Sequence, residues 1–226
     1  MLNVHIQHSP FNIQHSSFSL SLITTHPEAN LLDGYKGGWI EIIAGGMFSG
    51  KSEELIRRLR RAVIARQRVQ VFKPLVDDRY STEDIVSRDD RRLKALSVAT
   101  SNELLTRVEI GVQVVGIDEV QFFDDAIIDV VDQLANAGVR VICAGLDQDY
   151  RARPFGPIAA LMCVAEYVTK LHAVCSRCGA GACRSQRLIG MEGQLFVGGT
   201  ADYEPRCRRC FVAGVVDVAD APPPRG

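Results

Sequence analysis

Trp39-Ile40-Glu41-Ile42-Ile43-Ala44-Gly45-Gly46-Met47-Phe48-Ser49-Gly50-Lys51-Ser52 carries the fold of this 226-residue chain. The apolar run at 39–43 reads as a strand. Leu55, Ile56, Leu59, Ala62 and Val63 then recur at helical spacing, with Glu53 and Glu54 in the first turn and many arginines later, so a helix begins where the glycines end. Strand, glycine loop, helix is the local order, and the alternation continues downstream. Residues 69–72 read as a second strand, 96–99 as a short one, and 112–117 as a buried strand ending in Asp118-Glu119. The spacing predicts a helix over about 124–137, stopped by Gly138, and a further strand over 139–144. Strands alternating with helices imply an α/β fold with a mostly parallel sheet covered by helices on both faces. The polar, highly charged stretch 75–94 has no clear period and is expected to be a long mobile loop.

Composition narrows the classes. Lys and Arg number 26 against 27 Asp and Glu, with 46% hydrophobic and 23% charged residues, which is a globular profile and excludes disorder of the whole chain. No stretch approaches the roughly 18–20 uncharged apolar residues that cross a bilayer. A net charge of -1 argues against nonspecific nucleic-acid binding by the chain as a whole. The first 35 residues differ from the rest: they hold four of the five His and no Lys or Arg, which fits neither a secretory signal nor an Arg-rich transit peptide. The near-repeat Ile6-Gln7-His8-Ser9 and Ile13-Gln14-His15-Ser16 admits a His-based metal site, but a disordered extension or an upstream start accounts for it more simply. Residues 1–36 are therefore expected to be a disordered extension, and 213–226, with three consecutive Pro, a disordered tail.

The glycine loop carries the first chemistry. Gly45, four residues, then Gly50-Lys51-Ser52 match the P-loop pattern, in which backbone N–H groups cradle phosphates, the Lys reaches the outer phosphates and the Ser hydroxyl holds Mg2+. Such a site also needs an acid at a neighbouring strand end, and Asp118 fits that role. Glu119 then lies beside the phosphates, where a carboxylate can take the proton of an attacking hydroxyl or water. Both acids are otherwise just the start of a loop. Phe122 and Phe123 follow at once; adjacent Phe are more often core than ligand-facing, although one can line a pocket for a flat base.

Cys175-x-x-Cys178 and, after 28 intervening residues, Cys207-x-x-Cys210 form the third signal. Four thiolates close a tetrahedral zinc site with no open position, which makes the ion structural; the competing reading is two disulfides. Cys143, Cys163 and Cys183 fall outside the pattern, and the first two lie in apolar runs that predict buried thiols. The segment between the pairs, containing Gly198-Gly199 and Tyr203, is expected to be a loop tied at its base by zinc. From Lys170 to Cys210 seven basic residues face three acids, which invites a zinc-ribbon nucleic-acid module. Few aromatics stand ready to stack bases, and a polyphosphate site explains the charge without a polymer.

Gly45-Gly46-Met47-Phe48-Ser49-Gly50-Lys51-Ser52, Asp77-Asp78-Arg79-Tyr80-Ser81, Asp118-Glu119-Val120-Gln121-Phe122-Phe123, Arg153-Pro154-Phe155-Gly156 and the two Cys pairs, in this order, resemble the zinc-containing type II thymidine kinases. The resemblance covers about 37–211. It implies a P-loop α/β kinase domain over 37–171 and a small zinc-binding lasso domain over 172–212. It also implies transfer of the γ-phosphate of ATP, with Mg2+, to the 5′-hydroxyl of thymidine or deoxyuridine. Glu119 stands where that family has its catalytic base; Gly45 to Ser52, Asp118 and Gln121 stand where it binds ATP and Mg2+, and Asp77 and Arg79 fall in a loop that closes near the phosphates. Met47, Phe122, Tyr150 and Phe155 match pocket positions around the nucleoside. Gln194, Leu195, Phe196, Val197 and Gly198, with Tyr203, match the lasso whose backbone reads the pyrimidine edge, a task that demands small residues such as Gly198 and Gly199. Structural Zn2+ on the four Cys, a cytoplasmic homotetramer, feedback inhibition by dTTP, and no membrane or nucleic-acid partner complete the expectations.

Three features depart from the family pattern: Gly46 where Pro or Ser is expected, Arg88 where His is expected, and a short segment between Arg187 and Leu195. They bear on loop behaviour and substrate preference rather than on the reaction class. Two other classes remain open from the residues alone. A P-loop switch would hydrolyse nucleotide with no acceptor, and a zinc-ribbon module would bind without turnover.

Overall fold

The first strand runs two residues past its apolar pattern. β1 spans Trp39–Gly45 and is buried along its whole length, because it lies in the interior of a sheet covered on both sides. The computed structural model describes residues 37–75, 84–85, 93–188 and 202–213, all within one unit of the chain. After β1 come α1 (Lys51–Ile64), β2 (Val69–Pro74), β3 (Asp84–Ile85), β4 (Leu93–Lys94), β5 (Leu96–Val98), α2 (Ser101–Arg107) and β6 (Val114–Ile117). A 3₁₀ turn at Val120–Phe122 leads to α3 (Ile127–Asn136), β7 (Arg140–Leu146), α4 (Ile158–Val164) and β8 (Tyr167–Leu171).

Six strands form one sheet in the order β5-β2-β6-β7-β1-β8, and every neighbouring pair in it is parallel. The alternation of side chains explains the two cores. Ile43, Val71, Val114, Ile142 and Ala144 point to one face, where Leu55, Ile56, Leu59 and Ala62 of α1 cover them. Ile40, Ile42, Phe72, Val115, Ile117 and Val141 point to the other, under Leu104 of α2, Ile127, Val131 and Leu134 of α3, and Ile158 and Leu161 of α4. Apolar burial on this scale, about 25 cal/mol per Å², is what makes each strand read as a nearly continuous hydrophobic run.

One polar group breaks that rule. Glu41 is fully buried on β1, where its carboxylate accepts from Arg58 Nη1 at 2.7 Å, Arg140 Nε at 2.6 Å and Trp39 Nε1 at 2.7 Å. Arg58 is held further by Glu54 and Thr169. A buried carboxylate survives here only because two guanidinium groups and an indole N–H replace its water.

Several expectations are sharpened. The acid-bearing strand β6 is not a neighbour of β1; β7 lies between them, so the loops after three strands converge at one edge. The predicted helix over 124–137 starts three residues later, because Asp124 instead turns back to accept from the Ala126 N–H. Cys143 is buried as expected, but Cys163 is exposed, since α4 turns Ile158 and Leu161 inward and leaves Cys163 on its outer side. Within 75–94, β3 and β4 form a short antiparallel pair. Beyond the sheet, β9 (Ala173–Val174) pairs antiparallel with β10 (Gly181–Ala182), and β11 (Arg184–Arg187) with β12 (Tyr203–Arg206). No helix among the described residues is long and apolar enough to cross a membrane.

Candidate active site and metal centre

The loop from Gly45 to Gly50 links β1 to α1 at the carboxyl edge of the sheet, the usual place for ligands in such folds. Gly50 caps the helix with φ 83°, a left-handed conformation that suits glycine, and leaves the first N–H groups of α1 without a side-chain cap. Ser49 Oγ and Lys51 Nζ both donate to the Gly46 carbonyl, at 2.8 and 2.9 Å, and so curl the loop around its own backbone. Phe48 adopts φ 64° and is partly exposed. Burial lowers the Lys51 pKa, while Glu119, Asp118 and Asp147 pull it back up. The ammonium thus lies among three carboxylates at the strand ends.

Asp118 and Glu119 follow β6 directly. The Asp118 N–H donates to the Phe72 carbonyl of β2, which fixes the backbone at this corner. Asp118 Oδ1 accepts from the Glu119 N–H at 3.0 Å and from Ser52 Oγ at 3.4 Å. Burial, then the neighbouring Glu119 carboxylate, push the Asp118 carboxyl up to about 7. Ser52 and Asp118 are oxygen donors side by side, the donor set that a hard divalent cation takes. Glu119 has φ 51° and ψ 40°, a left-handed conformation that costs a non-glycine residue about 1–2 kcal/mol and concentrates at functional sites. Its Oε2 accepts from Gln121 Nε2 at 2.5 Å, and Gln121 Oε1 accepts from the Leu146 N–H at 3.0 Å.

Aromatic groups gather beside these acids. Phe122 meets Phe155 edge to face, with ring centroids 5.5 Å apart. Tyr150 is buried, with Arg187 at 4.9 Å and Arg151 at 5.1 Å from its ring centroid. Tyr203 lies opposite Arg187 in the β11–β12 pair and is buried as well; burial raises its pKa, against the pull of Arg187. Asp77 and Arg79 of the expected phosphate loop, Arg88, and Gln194, Leu195, Phe196, Val197 and Gly198 of the expected lasso lie outside the described residues.

Several residues at this site were not among those expected from the sequence. Ser185 Oγ of β11 accepts from the Met47 N–H at 2.9 Å, and Arg184 bonds Gln148, so the hairpin that ends in the cysteine pairs rests on the phosphate loop and on the loop after β7. Asp147, at the end of β7, is buried and lies 2.8 Å from Lys170 Nζ, as an ion pair without hydrogen-bond geometry. An acid directly after an apolar strand, in the same position as Asp118 after β6, was the available sign.

The four paired cysteines are brought together. Their Sγ atoms all lie within 4.8 Å of one another, and Cys178 Sγ is 3.6 Å from Cys207 Sγ. A tetrahedral Zn–S₄ site, with bonds of about 2.3 Å, spaces its sulfurs about 3.8 Å apart, so the cluster matches that geometry. None of the four is in a disulfide, which removes the competing reading. Burial pushes the Cys175 thiol up, but N–H groups around Cys207, Arg177 and Cys178 hold it down at about 6. The Cys178 thiol, hydrogen-bonded to Cys210, pushes the Cys210 thiol up.

Comparison with known proteins agrees with this geometry. The sequence profile of the family described as "Thymidine kinase" matches residues 38–211. A thymidine kinase from Rhodothermus sp. (strain ITI 518) is 59% identical over 174 residues, which cover 77% of this chain and 81% of that protein. With the match spanning the phosphate loop, both acids and all four paired cysteines, the chain belongs to the thymidine kinase family of nucleoside kinases.

Proposed function

We propose that the chain uses ATP and Mg2+ to phosphorylate the 5′-hydroxyl of thymidine, and of deoxyuridine, in pyrimidine deoxynucleotide salvage. The observation that carries this reading is Glu119 directly after Asp118, whose Oδ1 accepts from both the Glu119 N–H and Ser52 Oγ at the start of the helix after the glycine loop. Glu119 accepts the proton of the 5′-hydroxyl as its oxygen bonds to the γ-phosphorus. The bond to the bridging oxygen breaks, and ADP leaves. Lys51 neutralises charge on the outer phosphates, and the backbone N–H groups from Gly45 to Ser52 cradle them. Ser52 and Asp118 would hold the Mg2+, with Asp77 and Arg79 as further nucleotide contacts; the ion supplies electrostatic stabilisation of the phosphates when bound. Phe122, Phe155, Tyr150 and Met47 form the apolar walls for the base, and Gln194, Leu195, Phe196, Val197 and Gly198 with Tyr203 are assigned to reading its edge. Zn2+ on Cys175, Cys178, Cys207 and Cys210 would tie the two ends of the 172–212 part of the chain to each other. A cytoplasmic homotetramer inhibited by dTTP, with no nucleic-acid partner, belongs to the same reading.

The test offers purified protein, ATP and Mg2+ to thymidine, deoxyuridine, deoxycytidine and deoxyguanosine in separate reactions, beside a control without acceptor. Thymidine monophosphate should form, with thymidine and deoxyuridine well ahead of the other two. ATP hydrolysis that ignores the acceptor would assign the site to a hydrolytic switch instead.

A further inference from the structure

We propose that Gln121 is a positioning residue, a strut that fixes the Glu119 carboxylate to the backbone of β7, and that Gly145 is glycine to leave room for it. The proposal rests on the reading of Glu119 as the base and deepens it. Gln121 is only 3% exposed, and both ends of its amide are engaged by the protein. The Leu146 N–H can only donate, so the amide oxygen must face it at 3.0 Å. The orientation of the amide is then settled, and its NH₂ must face Glu119 Oε2, 2.5 Å away, as a donor to a carboxylate.

Such a strut is needed because the backbone alone does not aim Glu119. The residue occupies a left-handed conformation at a sharp corner, where its N–H is held by Asp118 and its carbonyl accepts from the Phe122 N–H, and neither bond reaches the side chain. Its side chain has three rotatable bonds, and an unrestrained carboxylate would sample many orientations, most of them useless for taking a proton. Gln121 ties it to the last N–H of a strand inside the sheet, a rigid support.

Two glycines from separate segments make room for this side chain and its backbone. A Cβ on Gly145 would lie 2.7 Å from Gln121 Oε1 and 2.8 Å from Val120 Cγ1. A Cβ on Gly156 would lie 2.2 Å from the Gln121 carbonyl oxygen, and Gly156 has φ 53°. Gly145 is the penultimate residue of β7, paired with Ala44 of β1, and a glycine inside a strand is otherwise unfavourable. Its place is explained by the amide packed against it.

The experiment compares kcat and KM for thymidine phosphorylation in Gln121→Glu, Gln121→Met, Gly145→Ala, Glu119→Gln and Glu119→Gln/Gln121→Glu. Gln121→Met removes the donor without adding charge, while Gln121→Glu keeps the side-chain volume and the acceptor for Leu146 but sets a second carboxylate against Glu119 Oε2. The kcat of Gln121→Glu should fall roughly 10–100-fold, the usual effect of losing an orienting partner, with KM for ATP within about twofold. Gly145→Ala should move kcat the same way. The double variant should be no slower than Glu119→Gln alone, because a strut has no effect once the group it holds is gone. Unchanged kcat in Gln121→Glu, or losses that multiply in the double variant, would overturn the proposal and leave the base in place. Full activity in Glu119→Gln would remove the base itself and the strut with it.

Discussion

Replacing Glu41 with Gln tests how the sheet tolerates a charge at its centre. The side chain is fully buried and accepts from Arg58, Arg140 and Trp39 at 2.6–2.7 Å. Arg58 would keep Glu54 and Thr169 as acceptors. Arg140 would be stranded: it is 3% exposed, and neither its Nη1 nor its Nη2 finds an acceptor among the described residues, so Glu41 is its compensating charge. Removing one partner of a buried pair costs about 3–5 kcal/mol, mostly through the charge left behind. Against a total stability of about 5–15 kcal/mol, that is a large share. For a chain of this size about 1 kcal/mol shifts Tm by roughly 2–4 °C, so the variant should melt roughly 6–20 °C lower. Urea denaturation should give a lower midpoint with an unchanged m value, while kcat at 25 °C stays near wild type, because Glu41 lies on β1 away from the phosphate loop. The double variant Glu41→Gln/Arg140→Met should recover much of the loss. A loss below about 1 kcal/mol in the single variant would show that water reaches this cluster and that the burial argument is wrong.

Three shorter predictions concern the site. Cys175→Ala should purify with markedly less bound zinc than wild type, by elemental analysis; equal metal content would sink the four-thiolate centre. The Asp118 carboxyl is pushed above its unfolded value, so the stability it contributes is complete at low pH and is lost as pH rises through about 7. In metal-free protein, the gain of Asp118→Asn over wild type should therefore grow as pH rises from about 4 to about 7, and a pH-independent difference would contradict the shift. Gly46→Ala should be tolerated, because its Cβ would lie no nearer than 3.4 Å from Ser185 Oγ, and should raise stability by about 0.4–1 kcal/mol through a stiffer unfolded chain. A large loss of stability in that variant would mean that the loop needs the freedom of glycine.

Local pattern made the phosphate loop legible: a buried strand, glycines at fixed spacing and an amphipathic helix all point to one arrangement, and β1 and α1 stand where that pattern puts them. The two Cys pairs were legible for a similar reason, since metal ligands need thiolates at short spacing. Strand order was not. The interposition of β7 between β6 and β1 depends on how crossovers pack, which period and composition do not encode. α4 and β8 escaped notice because a seven-residue helix and an edge strand of mixed burial lack a strong period. Cys163 was misread because an apolar run in a short helix has an outer side as well as an inner one. Ser185 and Gly145 matter through contacts made across long stretches of chain, and no local spacing announces them.

The most direct test of the account is transfer of the ATP γ-phosphate to thymidine by wild type and Glu119→Gln side by side, with ATP binding measured on both. The variant should bind ATP as wild type does and lose roughly 10²–10⁴-fold in kcat, the range expected for a missing general base. Equal transfer rates in the two proteins would contradict the assignment of the chemistry to Glu119.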